Sequence, residues 1–107
     1  MTVHFLVTAF DGDDIGAMAR RLAVRERHLE GVKKLIKERR HLYAAAILDD
    51  EKNMIGSVMI VDYPSRKALE DEWLKSEPYV TGGVWKKIDV RPCEVPDFFL
   101  DTGWARE

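Results

Sequence analysis

Two short segments of this chain hold the residue types that acid–base chemistry needs. The first contains His28 and Arg25, one helical turn apart, in a stretch where Met18, Leu22, Leu29, Val32, Leu35 and Ile36 recur at three- and four-residue spacing. At about 100° per residue, His28 falls about 40° from Val32 and Arg25 about 20°, so both lie within the apolar arc. A lone histidine there reads as a core imidazole bonded to a backbone carbonyl, with the arginine snorkelling to solvent. Side by side, the two cations need an anionic partner, which a pocket supplies more readily than a core. Imidazole is the side chain that ordinarily titrates near neutral pH, so a pocket histidine suits general acid or base work.

The second segment is Ser76-Glu77-Pro78-Tyr79-Val80. The following proline pins the Glu77 carboxylate at a helix end, and the Tyr79 hydroxyl stands two residues on. Taken alone, this is a helix stop with a solvated glutamate. Glu77 would oppose the negative end of the helix dipole, a small cost that a cationic neighbour offsets. His28 and Arg25 are the evident neighbours if the two helices lie side by side.

Other reactive residues carry less. His4 and His41 are single residues at strand starts, without metal-ligand spacing. Cys93 is the only cysteine, so no internal disulfide forms, and with no adjacent base it reads as a small packed residue. Gly82-Gly83 precedes a strand, not a helix, and is no phosphate loop. The run Lys33-Lys34…Arg39-Arg40 is a solvated helix face. These residues call for no metal and no organic cofactor.

The elements that must position His28 and Glu77 follow from period and punctuation. Val3–Ala9 is short, apolar and partly β-branched, a strand, and it runs into the turn cluster Asp11-Gly12-Asp13-Asp14. A helix is expected from about Ala17 to Arg40, with room for a break near Val24 and Arg25. Strands follow at about Leu42–Leu48 and Met54–Val61, joined by a link of hairpin length. Pro64-Ser65 announces a helix over Arg66–Lys75, stopped by Pro78. Gly82-Gly83 is expected as a flexible joint before a last strand, Val84–Val90. The tail is expected to pack as an extended arm through Phe98, Phe99 and Trp104.

The order β-α-β-β-α-β is the ferredoxin-like split βαβ arrangement, an α+β fold with an antiparallel sheet and both helices on one face. The other sheet face is left without a helix, which predicts a homodimer. The 107 residues make one domain, and the 46% apolar content is that of a globular protein. Lys and Arg number 17 against 19 Asp and Glu, a net charge of -2, which gives no basic face for nucleic acid. No apolar run is long enough to cross a bilayer, and no secretory leader is expected, so the expected setting is cytoplasmic.

The segment Ala23-Val24-Arg25-Glu26-Arg27-His28-Leu29 resembles the first-helix motif of the YCII (YciI-like) family. Glu77-Pro78-Tyr79-Val80-Thr81-Gly82-Gly83-Val84 resembles that family's Asp-Pro-Tyr-Val segment and the Ala-Gly-Val after it. Gly56-Ser57 and Val90-Arg91-Pro92 fit the same pattern, so the resemblance spans residues 3–92. It implies a ferredoxin-like domain pairing into a dimeric α+β barrel, with a cleft beside a histidine–aspartate pair. Characterised relatives include a dehydrochlorinase acting on a chlorinated hydroxyquinol. The wider fold class holds muconolactone isomerase and small monooxygenases.

The chain departs from the family at two places. Glu77 stands where the family has Asp, and an extra methylene displaces the carboxylate by roughly 1 Å, which matters where geometry is critical. Ala44-Ala45-Ala46 stands where a Gly-Pro is usual, and the following link is shorter, so the pocket rim should differ. The expected domain is 1–92, with 93–107 an extension packing on the domain or its dimer partner.

The resemblance implies a lyase or isomerase moving a proton on a small oxygenated, perhaps aromatic, molecule. His28 would be acid or base, Glu77 its orienting carboxylate and Arg25 the holder of a substrate carboxylate or enolate oxygen. Ser57 and Tyr79 would be hydrogen-bond donors in the cleft. The alternative is a non-catalytic, dimeric small-ligand-binding module. A haem- or quinol-linked monooxygenase rests on fold analogy alone.

Overall fold

The computed structural model describes residues 3–100. Strand β1 (Val3–Asp11) leads into helix α1 (Ala17–Lys37), followed by β2 (His41–Leu48) and β3 (Met54–Tyr63). Helix α2 (Arg66–Glu72), a 3-10 turn (Leu74–Ser76) and the short helix α3 (Pro78–Thr81) precede β4 (Trp85–Cys93) and a last turn, α4 (Asp97–Leu100). The sheet order is β2-β3-β1-β4, and every neighbouring pair is antiparallel. This is the ferredoxin-like α+β fold expected from the element order.

Alternation along the central strands decides which face is the core. Phe5, Val7 and Ala9 of β1, with Met59, Val61 and Tyr63 of β3, pack under Val24 of α1, Leu69 of α2, Trp73 and Tyr79. The opposite face carries Leu6, Val58 and Ile60, which remain partly exposed, and Phe10, which is 41% exposed. Among the described residues no helix is long and apolar enough to cross a membrane.

Helix α1 is continuous through Val24 and Arg25, so no break occurs. Its buried residues are Arg21, Val24, His28 and Val32, which centres the buried face on His28 and not on Val32. That rotation of about 40° turns Leu22 and Leu29 toward solvent and moves Arg25 to the margin of the face. The second helix ends at Glu72, earlier than Lys75, and the chain tightens into the 3-10 turn before Pro78 restarts a helix.

Gly82 and Gly83 are not a flexible joint but a close turn. A Cβ on Gly82 would lie 2.8 Å from the Pro78 carbonyl oxygen and 3.1 Å from Val24 Cγ1, so glycine lets α3 press against α1. Gly83 has φ +70°, a conformation that favours glycine. The segment after β4 also differs from an extended arm. Residues 97–100 form a helical turn, with the Phe98 and Phe99 rings tilted by 32° at 4.8 Å and both largely exposed. Trp104 lies outside the described residues.

Candidate functional site

Glu77 is placed by the break between the 3-10 turn and α3. Proline at the first helical position removes a backbone donor that would otherwise be orphaned, and Glu77 becomes the N-cap, its Oε1 accepting from Tyr79 N at 3.1 Å. The carboxylate therefore lies at the start of a helical turn, not against the negative end of one. Its second oxygen, Oε2, accepts from the indole Nε1 of Trp73 at 3.0 Å. The residue is 3% exposed, so these bonds stand in for lost water.

The third donor to Glu77 is His28. Its Nδ1 lies 2.5 Å from Glu77 Oε1, with both side chains buried. The glutamate thus bridges from α3 to α1 despite its extra methylene. In the tautomer that donates from Nδ1 to this carboxylate, Nε2 is the ring nitrogen left with its lone pair free. Nε2 makes no hydrogen bond among the described residues, and His28 lines a cavity of about 170 Å3. The Tyr79 ring stacks on the imidazole at 3.8 Å and 10°, and Trp85 meets its edge at 6.0 Å. Burial pushes the Tyr79 phenol above its ordinary pKa, partly opposed by Arg21 and Arg25, which keeps it a neutral donor.

The cavity is walled by α1 on one side and by Ala44, Ala45 and Ala46 of β2 on the other. The alanines leave its rim open at the sheet edge. Arg25 lines the same cavity but is exposed, so it stands at the mouth and not in the buried arc. The buried guanidinium is Arg21, one turn earlier, which the sequence reading passed over. Arg21 is 3% exposed; its Nη1 donates to both carboxylate oxygens of Asp11 at 3.0 and 2.9 Å. Its Nη2 donates to Ser57 Oγ at 3.1 Å, and its guanidinium carbon lies 4.8 Å from the Tyr79 ring centre. Ser57 also accepts from Trp85 Nε1 at 3.2 Å. Of the expected site residues, His28, Glu77 and Tyr79 are in contact, while Ser57 and Arg25 line the same cavity as His28 and Tyr79; Glu77 reaches it only through His28 and Tyr79.

A compact α+β domain with a buried imidazole–carboxylate pair at a small, open-rimmed cavity is thus the frame in which relatives are compared. Residues 3–94 match the YCII-related domain, and the chain belongs to that family. It is 36% identical over 89 residues to an uncharacterized protein of Haemophilus influenzae, covering 78% of this chain and 90% of the relative. It is 29% identical over 93 residues to Protein YciI of Escherichia coli, covering 81% and 94%. Among solved structures it resembles a 5-chloro-2-hydroxyhydroquinone dehydrochlorinase from Burkholderia phenoliruptrix, in complex with 2,5-dihydroxybenzoquinone. The TM-score there is 0.73 at 19% identity, over 89% of this chain and 97% of that one. At that identity the likeness is one of fold.

Proposed function

We propose that this protein is an enzyme of the lyase or isomerase type that moves a proton on a small, oxygenated ring compound. The observation that carries this reading is the 2.5 Å contact between His28 Nδ1 and Glu77 Oε1 beside the cavity. With Nδ1 committed to the carboxylate, neutral His28 takes a proton through Nε2 from a carbon next to a substrate carbonyl. The C–H electron pair moves into the oxygen, giving an enolate. Glu77 stabilises the imidazolium so formed, as a carboxylate does for other catalytic histidines. Return of the proton to another carbon completes an isomerisation; loss of a leaving group beside the carbanionic carbon completes an elimination. Arg25 at the mouth holds a substrate carboxylate or the enolate oxygen, and Tyr79 and Ser57 offer hydroxyl donors.

Cavity size supports a single-ring ligand, since a dry cavity of about 150 Å3 is enough to hold benzene. The resemblance of the fold to a dehydrochlorinase supports the same substrate class. Proton transfer by these residues invokes no cofactor. The test is a turnover and thermal-shift screen of hydroxyquinols, muconolactones and related acids against the wild type and His28→Ala. Turnover lost on substitution is the expected result. Binding without turnover, abolished by the same substitution, would instead make the protein a non-catalytic ligand-binding module.

The uncovered sheet face supports assembly with a second copy. Leu6, Leu42, Tyr43 and Ile60, with Val95, Pro96 and Phe99 from residues 93–100, line a second hollow of about 490 Å3 on that face. In this reading residues 1–92 form the domain and the extension from residue 93 packs against it or its partner. A homodimer is expected by light scattering, and Ile60→Asp, placing a charge on the face, is expected to yield monomer. Wild type running as a monomer at micromolar concentration would remove the dimer.

A further inference from the structure

Ser57 has an unusual hydrogen-bond inventory. A hydroxyl accepts two hydrogen bonds and donates one. Both acceptor positions of Ser57 Oγ are taken by groups that can only donate, Arg21 Nη2 at 3.1 Å and Trp85 Nε1 at 3.2 Å. Neither can receive the serine proton. No acceptor for that proton exists among the described residues, yet Ser57 is 4% exposed and lines the cavity opposite His28. The inventory therefore leaves one buried donor with nowhere to point except the cavity.

The charges around it sharpen what it would meet. Arg21 is neutralised by the two-oxygen contact with Asp11, and His28 faces Glu77. Arg25 lines the cavity with no ion-pair partner among the described residues. The cavity thus presents one uncompensated cation at its mouth and one forced hydroxyl donor in its wall.

We infer that Ser57 is the hydrogen-bond donor to an oxygen carrying negative charge on the bound ligand, held in that role by Arg21 and Trp85. The ligand class is a single-ring phenolate or enolate with its charged oxygen on the β3 side of the cavity. This rests on the proposed enzyme reading for its consequence in catalysis, but not for its test. Ser57 gives up no proton in the process. It donates a hydrogen bond whose strength grows as charge gathers on the oxygen, which is the requirement for favouring an enolate over its parent ketone. Arg21 and Trp85 are positioning residues for the hydroxyl, which they orient and polarise; Trp85 is not among the residues lining the cavity, whereas Arg21 lines it with its charge taken up by Asp11.

Phenols test this without knowledge of the substrate. In a spectrophotometric titration with 4-nitrophenol, whose anion is coloured, the full-length wild type is expected to bind the phenolate in preference to the phenol. Across phenol, 4-chlorophenol and 4-nitrophenol, affinity should rise with acidity. Ser57→Ala is expected to weaken phenolate binding about 10- to 100-fold and flatten that trend. Ser57→Thr, which keeps the hydroxyl on the strand, should restore both, so a folding defect in the alanine variant does not decide the matter. Trp85→Phe, with Ser57 intact, should lower the anionic fraction of bound nitrophenol; an unchanged fraction would remove Trp85 from the positioning role.

Arg25→Met should weaken all anions alike and leave the trend with acidity in place. The titration reads binding and not turnover, so its outcome is separate from that of the proton-transfer reading. Phenolate bound as tightly by Ser57→Ala as by wild type, or no phenolate preference in the wild type, would overturn it.

Discussion

In the proposed proton-transfer reaction, substitution of His28 by alanine is expected to lower turnover by about 10^2- to 10^4-fold, the range that a positioned general acid–base contributes. Alanine also leaves Glu77 buried without its histidine, so some stability is lost with the activity. His28→Asn separates the two effects. Its amide can donate toward Glu77 in place of Nδ1 but provides no base at the position of Nε2. Asparagine is therefore expected to melt closer to the wild type than alanine does and to be as inactive. Glu77→Gln attacks the pair from the other side. It leaves one carbonyl oxygen to serve Trp73 Nε1, Tyr79 N and the imidazole, where the carboxylate has two. An enzyme whose rate is untouched by either His28 substitution does not work through this pair.

Much of this site was legible before the fold was known, and the parts that were not have definite physical causes. His28 is singled out by its place in the apolar arc beside Arg25 together with the family's first-helix motif, and Glu77 by Pro78 together with the match to the family's Asp-Pro-Tyr-Val segment. Neither required knowing the sheet order. The apolar stripe of the sequence centres on Val32, whereas the core is set by where β1 and β3 present Phe5, Val7, Met59 and Val61. Those strands draw Val24 inward and leave Leu22 56% exposed, so the buried arc turns about 40° away from Arg25. Arg21 lies three helical turns before Val32, about 20° from it, and the same wheel would have found it had arginine been allowed as a buried residue. What made its burial tolerable was invisible in sequence. Asp11 comes from the end of β1 and Ser57 from β3, and only the fold brings them within reach of one guanidinium.

Glu77 also sits differently from its sequence expectation. Its expected conflict with a helix dipole assumed one helix running to residue 75, while the chain closes α2 early and opens α3 at Pro78. The same carboxylate then becomes a cap. The sequence also placed no weight on His41, dismissed for want of metal-ligand spacing. In the fold, a register shift between His41 and Tyr43 leaves both His41 and Leu42 buried. His41 is 1% exposed and meets the Trp73 ring edge-on at 4.7 Å, against the indole that holds Glu77.

His41 is expected to make the protein sensitive to acid. Neither ring nitrogen has a hydrogen-bond partner among the described residues. Burial lowers its pKa from the ordinary imidazole value of 6.5 to about 4; the Glu77 carboxylate opposes that shift and His28 adds to it. A histidine lowered on folding binds fewer protons in the native than in the unfolded chain between those two values. Stability is therefore fully present above pH 6.5 and is lost as pH falls toward 4. At about 1.4 kcal/mol per pH unit, that window is worth about 3 kcal/mol, a large share of what a domain of this size possesses. His41→Leu removes the titration and replaces two unsatisfied nitrogens with a side chain that needs no partners. Urea unfolding of the variant is expected to give equal or greater stability at pH 7, and an advantage of about 3 kcal/mol by pH 4. If wild type and variant instead lose stability in parallel between pH 6.5 and 4, the acid sensitivity belongs to other groups, and His41 must have a proton acceptor or donor that keeps it soluble in the core.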